Sequence, residues 1–226
     1  MAFEGLEKRL AMVREVIADA QRAAGLAHPV QVIAVTKSHG RDAVEAAFRA
    51  GLTAVGENRV QEALAKQPGS PTGLDWHLIG TLQRNKARHA VGCFALIHSV
   101  DRADLAGELA RRVAPGARQA VLLQVNCSDE PQKGGVEPAA LPELLDAVAT
   151  LPALDVRGLM TMAAYDADAA AQRRTFARLR ELRAQSARAG FDVPELSMGM
   201  SGDYAAAVSE GATMVRLGTV LFGERG

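Results

Sequence analysis

Eight short apolar runs alternate with amphipathic segments between residues 30 and 218, and that alternation limits what the chain can form. The runs are Val30–Lys37, Thr53–Asn58, Asp75–Gly80, Cys93–Val100, Ala120–Cys127, Val156–Met162, Leu196–Gly199 and Met214–Gly218. Helical stretches separate them: Arg41–Ala50, Val60–Lys66, Arg84–Val91, Arg102–Val113, Pro138–Thr150, Ala167–Ala189 and Asp203–Glu210. Strands that read as apolar runs with helices between them predict a parallel sheet. About eight such units in roughly 200 residues suit a closed (β/α)8 TIM barrel. An open doubly wound sheet is the alternative, but no glycine-rich dinucleotide turn follows the first strand. Leu6, Leu10, Val13 and Ile17 at helical spacing predict an extra N-terminal helix that stops near Gly25. No linker or shift of composition marks a second domain, so residues 1–226 read as one α/β barrel domain.

Lys plus Arg and Asp plus Glu number 26 each, so the net charge is zero and the basic footprint of a nucleic-acid binder is missing. Cys93 and Cys127 both sit in apolar runs and read as reduced core residues rather than a disulfide scaffold. Met1-Ala-Phe-Glu-Gly5 lacks the pattern of a signal peptide. No apolar run is long enough to span a bilayer, which makes the cytoplasm the default compartment. No metal is expected.

In such a barrel the chemistry sits at the carboxyl ends of the strands. Those ends carry Lys37, Glu57-Asn58, His77 with Gly80, Ser99, Asn126, Met160 to Met162, Ser201 and Arg216 to Thr219. Lys37 closes Ile33-Ala-Val-Thr-Lys37. A lysine there either snorkels to the surface or, desolvated, becomes a nucleophilic amine able to form a Schiff base. Ser201, bracketed by Gly199 and Gly202 before a helix, is either an anion-site donor or that helix's N-cap. Asp203 reads as a cap. Arg216 and Gly218 are two apart and share one side of the last strand. They suit a phosphate and ring site together with Thr219; the alternative for Arg216 is an ion pair.

These residues resemble the pyridoxal phosphate homeostasis proteins, the family of bacterial YggS and animal PROSC proteins. The resemblance rests on Ile33-Ala-Val-Thr-Lys37, Gly56-Glu-Asn58 with Val60-Gln-Glu62, Trp76-His-Leu-Ile-Gly80 with Gln83 and Asn85-Lys86, Arg157-Gly-Leu-Met160, Ser197-Met-Gly-Met-Ser201 with Asp203, and Met214-Val-Arg216-Leu-Gly218-Thr219 with Phe222-Gly223. It implies a fold like the barrel domain of alanine racemase and pyridoxal 5′-phosphate (PLP) held as a Schiff base on Lys37. It assigns the phosphate to Ser201, Gly218 and Thr219, sets Arg216 opposite the pyridine nitrogen, and lines the ring pocket with Asn58, His77 and Met200. It implies buffering or delivery of PLP, with PLP-dependent apoenzymes as partners, and the expected assembly is a monomer. Many relatives carry a second lysine soon after the first. Here the run is Lys37-Ser38-His39-Gly40, and His39 reads as an exposed loop residue. Lys133 is either an accessory PLP contact or a solvated loop lysine.

A cation facing the ring nitrogen weakens the electron sink that PLP catalysis uses. Racemisation also needs a second base, which alanine racemase takes from a β-rich domain. This sequence ends at Gly226, soon after the last barrel strand. Tyr165 and Tyr204 read as surface or capping residues. A non-enzymatic carrier is therefore expected, with a minimal amino-acid racemase as the alternative. Trp76 reads as packing, the arginines of residues 173–188 as a solvated face, and Ser99, Asn126 and Thr161 as mouth residues without assigned roles.

Overall fold

The computed structural model describes residues 3–128, 130 and 133–223. Eight parallel strands close into a barrel in chain order. They are β1 (Gln31–Val35), β2 (Ala54–Glu57), β3 (Asp75–Leu78), β4 (Leu96–Val100), β5 (Gln119–Gln124), β6 (Leu154–Met160), β7 (Glu195–Ser197) and β8 (Met214–Leu217). The helices are α1 (Leu6–Ala24), α2 (Arg41–Arg49), α3 (Val60–Lys66), α4 (Ala87–Ala90, after a 3₁₀ turn at Arg84–Lys86), α5 (Ala103–Ala110), α6 (Leu141–Ala149), α7 (Ala169–Arg188), α8 (Tyr204–Ser209) and α9 (Thr219–Phe222). β8 pairs with β1 from Gln31↔Met214 to Ala34↔Leu217, which closes the ring.

Strand alternation divides the core in two. Val32, Ala34, Val55, Leu78, Ile97, Val121, Leu123, Leu159, Leu196, Val215 and Leu217 pack outward in one cluster with the helices. Ile33, Ala54, Leu96, Leu122, Met160 and Met214 form a separate apolar cluster. Ile33 lies between the outward Val32 and Ala34, so this second cluster is the filling of the barrel. α1 buries Leu6, Leu10, Val13 and Ile17 and packs on α8 and α9. It ends at Gly25, whose φ of 67° puts it in the left-handed region.

The expected elements are present, and most strands stop short of their expected ends. β1 leaves its ladder at Val35, not Lys37, and β2, β3, β5, β6, β7 and β8 also end earlier. The polar ends peel away to form the mouth, so they no longer belong to the ladder. α9 was not anticipated; it is a single turn held by Leu221 N–H and Phe222 N–H donating to Gly218 O. Trp76 packs in the outer layer, as expected. The arginine-rich α7 is not simply a solvated face. Arg173 and Arg180 both pair with the buried carboxylate of Glu210, which follows α8. Among the described residues no helix is long and apolar enough to cross a membrane.

β6 and β7 approach closely at Gly158, where a Cβ would lie 2.0 Å from Glu195 O. That neighbour is backbone, so it cannot yield as a side chain would. Gly158→Ala is expected to destabilise the barrel by about 3 kcal/mol, read as a lowered midpoint in urea unfolding.

Candidate functional site

The loop after β7 builds one side of the mouth. Gly199 has φ 93°, and a Cβ there would fall 2.7 Å from the Ala207 Cβ, so the loop lies flat on α8 only because this residue is glycine. Gly199 O accepts the Arg216 N–H at 3.0 Å. Asp203 does not cap α8 as expected: its Oδ1 accepts the Met200 N–H at 2.5 Å and braces the loop backwards. Burial raises its carboxyl above the usual range, against the Met200 N–H and the Arg216 charge. Ser201 is not the cap of the following helix either. Its Oγ accepts the N–H groups of Gly218 (3.3 Å) and Val220 (3.2 Å) from the neighbouring loop. Two backbone amides thus converge on one oxygen, which is the arrangement a phosphate oxygen needs. Thr219 stands exposed between them and Met200 is half-buried.

Inside the barrel, Arg216 is 4% exposed. Its Nη1 donates to Ser197 Oγ (2.8 Å) and its Nη2 to Thr161 O (3.0 Å). Ser197 Oγ lies 2.9 Å from His98 Nδ1, and His98 Nε2 lies 2.9 Å from His77 Nδ1. The chain of bonds crosses the interior from β8 and β7 to β4 and β3. Its direction follows from Arg216, because a guanidinium only donates. Ser197 accepts from Arg216 and passes its own proton to His98 Nδ1. His98 then donates from Nε2 to His77 Nδ1, and His77 keeps its proton on Nε2. In the reverse polarity the buried Ser197 hydroxyl would lack an acceptor. Both rings are neutral: burial lowers His77 to about 4, and burial, then the charges of His77 and Arg216, hold His98 well below its ordinary value. Burial also lowers Arg216, to about 10, with Asp203 opposing the shift.

Lys37 lies two residues past the end of β1, half-buried, in the turn that follows. Val35 packs beside Gly218, so the register brings that turn to the corner where Ser201 meets Gly218. Asn58, at the end of β2, meets Gly80 from β3 so tightly that a Cβ on Gly80 would sit 2.3 Å from Asn58 O. Both line a cleft of about 400 Å³ at the rim, with Arg59, Gln83 and Lys86. His39 is not the exposed loop residue expected. It is half-buried, edge-on to Phe3 (centroids 5.3 Å) and 5.4 Å from Phe222. Lys133 is not solvated: Nζ donates to Ala163 O at 2.5 Å and pairs with Glu130 at 2.8 Å. Asn126 fastens the same loop through Nδ2 to Glu130 O (2.9 Å). Ser99 is buried, Tyr165 is almost fully exposed, and Tyr204 is half-buried.

Known proteins share this fold. The family described as "Alanine racemase, N-terminal domain" matches residues 10–226. The pyridoxal phosphate homeostasis protein of Pseudomonas aeruginosa is 45% identical over 98% of this chain and 95% of its own length. That of Aquifex aeolicus is 42% identical over 96% and 97%. The chain belongs to the pyridoxal phosphate homeostasis protein family. PipY of Synechococcus elongatus, in a structure with PLP bound, is 42% identical and superposes with a TM-score of 0.85 over 96% of this chain and all of PipY. An alanine racemase of Clostridium difficile superposes with a TM-score of 0.78 over all of this chain and 58% of its own; at 14% identity it bears on the fold alone.

The structure joins Ser201 to Gly218 directly, and Arg216 to His77 through Ser197 and His98. The relay members Ser197 and His98 went unassigned in the sequence. The signal for them was parity: each sits on the inward side of its strand, two residues after Glu195 and Leu96 respectively.

The low value of His77 has a consequence for stability. With about 4 in the folded state and 6.5 unfolded, the unfolded chain binds more protons between those values. Stability is therefore intact above pH 6.5 and is lost as the pH falls toward 4. His77 alone is expected to remove about 3 kcal/mol between pH 7 and pH 4. Urea unfolding across that range checks this, and His77→Gln should flatten the dependence.

Proposed function

We propose that this protein binds PLP and holds it in reserve for apoenzymes, with residues 1–226 acting as one cofactor-binding domain. The observation that carries the reading is the pair of backbone amides converging on Ser201 at the end of the barrel where β1 delivers Lys37. The names of relatives at 42–45% identity support the homeostatic role, and the PLP-bound PipY structure supports the ligand.

When bound, PLP supplies an aldehyde that condenses with amines and a ring that withdraws electrons. Lys37 would anchor that aldehyde. Ser201 and the N–H groups of Gly218 and Thr219 would hold the phosphate, and Asn58, His77 and Met200 would flank the ring. Arg216 would face the ring nitrogen. Its guanidinium is held by Ser197 and Thr161, and it offers only N–H donors. It therefore gives a protonated ring nitrogen no acceptor and opposes it with a positive charge. That favours retention over carbanion chemistry, in line with relatives named for homeostasis.

Mixing purified protein with PLP should produce a visible imine band that Lys37→Ala abolishes. Borohydride reduction and peptide mapping should then find the pyridoxyl mark on Lys37. Ser201→Ala should weaken binding about tenfold, the cost of one hydrogen bond to a charged group. A mark on another lysine would overturn the site. Sustained interconversion of D- and L-amino acids well above the rate with free PLP would replace the carrier reading with a racemase.

A further inference from the structure

We propose that Lys66, together with Glu57 and Glu62, is a positioning element for Lys37. The proposal rests on the reading of Lys37 as the attachment point and adds to it what sets that residue's backbone in place.

The cluster lies on the outer side of the sheet, behind the turn. Lys66 is 7% exposed, and Thr36 and Glu57 are fully buried. Lys66 Nζ reaches three oxygens: Glu57 Oε1 at 2.7 Å, Glu62 Oε1 at 2.9 Å and the backbone O of Thr36 at 2.9 Å. An ammonium has three N–H groups, so each finds an acceptor. The residues flanking Lys37 are both tied to this hub. Thr36 gives its hydroxyl to Glu57 Oε1 at 2.6 Å and its carbonyl to Lys66. Ser38 gives its backbone N–H to Glu62 Oε1 at 2.6 Å. Lys37 thus sits between two residues fastened to one ion cluster.

Ser38 explains why the fastening is needed. Its φ is 63°, in the left-handed region that non-glycine residues occupy at a cost. Without the bond to Glu62 the turn would relax toward ordinary φ values, and the Lys37 Cα would move with it. A lysine side chain is long and flexible, so its amine arrives correctly only if its root is fixed.

The same geometry takes Lys66 itself out of contention as the attachment point. Lys66 has its N–H groups committed to two carboxylates and a carbonyl, leaving no lone pair for an aldehyde. Burial pushes Glu57 above the usual carboxylate range, opposed by Lys66 and Thr36. For Glu62, burial also pushes upward, but the bonds from Lys66 and Ser38 outweigh it and hold the carboxyl low. Among the described residues Glu57 Oε2 has no hydrogen-bond partner, so removing Lys66 would strand a buried carboxylate. Lys66 variants therefore risk misfolding, and Glu62, half-buried on α3, is the better probe.

Glu62→Leu removes the acceptor of the Ser38 N–H, whereas Glu62→Gln keeps an acceptor oxygen in its place. In the ligand-free protein, amide exchange at Ser38 is expected to quicken at least about tenfold in Glu62→Leu and to stay near the parent rate in Glu62→Gln. With PLP, imine formation on Lys37 should weaken about tenfold in Glu62→Leu and recover in Glu62→Gln, at similar thermal midpoints. A general loss of stability would not produce that rescue. Unchanged Ser38 exchange in Glu62→Leu, or parent-like imine formation with that variant, overturns the proposal. Failure of the parent protein to carry PLP on Lys37 overturns the functional reading instead, and the exchange measurement still decides whether the cluster fixes the turn.

Discussion

A guanidinium buried in the middle of a barrel is the constraint to which the rest of the interior answers. Burying a charge without partners costs several kcal/mol. A closed sheet spends its backbone groups in its own ladder, so the answer has to come from side chains and strand ends. Ser197 and the carbonyl of Thr161 accept from Arg216, and Asp203 acts on it through its charge. Once Ser197 accepts from Arg216, its own proton needs a place, and His98 takes it. His98 in turn requires an acceptor, which is His77. One permanently charged group thus fixes the proton positions of three further side chains. Ile33, Ala54, Leu96, Leu122, Met160 and Met214 make up the apolar part of the filling.

The architecture was legible because parallel strands are buried on both faces and announce themselves as apolar runs. The parity of Arg216 was legible for a similar reason, since a period of two is a local property of any strand, whereas Gly218 lies past the end of β8. What escaped was whatever depends on distant partners. His98 bonds to a serine 99 positions away, and the run Leu96–Val100 indicates its inward side but not that partner. Lys66 looked like the last residue of an amphipathic helix, yet it reaches back 30 positions to Thr36.

Local rules also misassigned Asp203 and His39 and left Ser201 open. Asp203 before a helix and Ser201 in a glycine-bracketed turn both fit capping statistics. The structure uses Asp203 backwards within its own loop, on Met200, and Ser201 across to the next loop, on Gly218 and Val220. Capping is favoured when water is the competitor, and here other backbone donors compete. His39 failed in the opposite direction. A histidine beside glycine looks solvated, but Phe3 and Phe222 come from both ends of the described chain to cover it.

The placement of the two ion systems bears on how such a site could exchange a ligand. Arg216 and its relay lie inside the sheet, and the Lys66 cluster lies outside it, with β1 between them. The Arg216 guanidinium and the Lys66 ammonium both find acceptors in the chain itself, so neither cation depends on a ligand for its partners. The groups proposed to touch the phosphate are different in kind. Thr219 is exposed, Ser201 and Gly218 are half-buried, and the amides of Gly218 and Val220 already share the Ser201 oxygen. A phosphate arriving there would displace two long hydrogen bonds rather than open a core, and its departure would restore them. Rigid supports behind exposed, self-satisfied contacts allow loading and release without unfolding any element of the barrel, which a carrier requires and which a catalyst that must hold its cofactor through turnover does not.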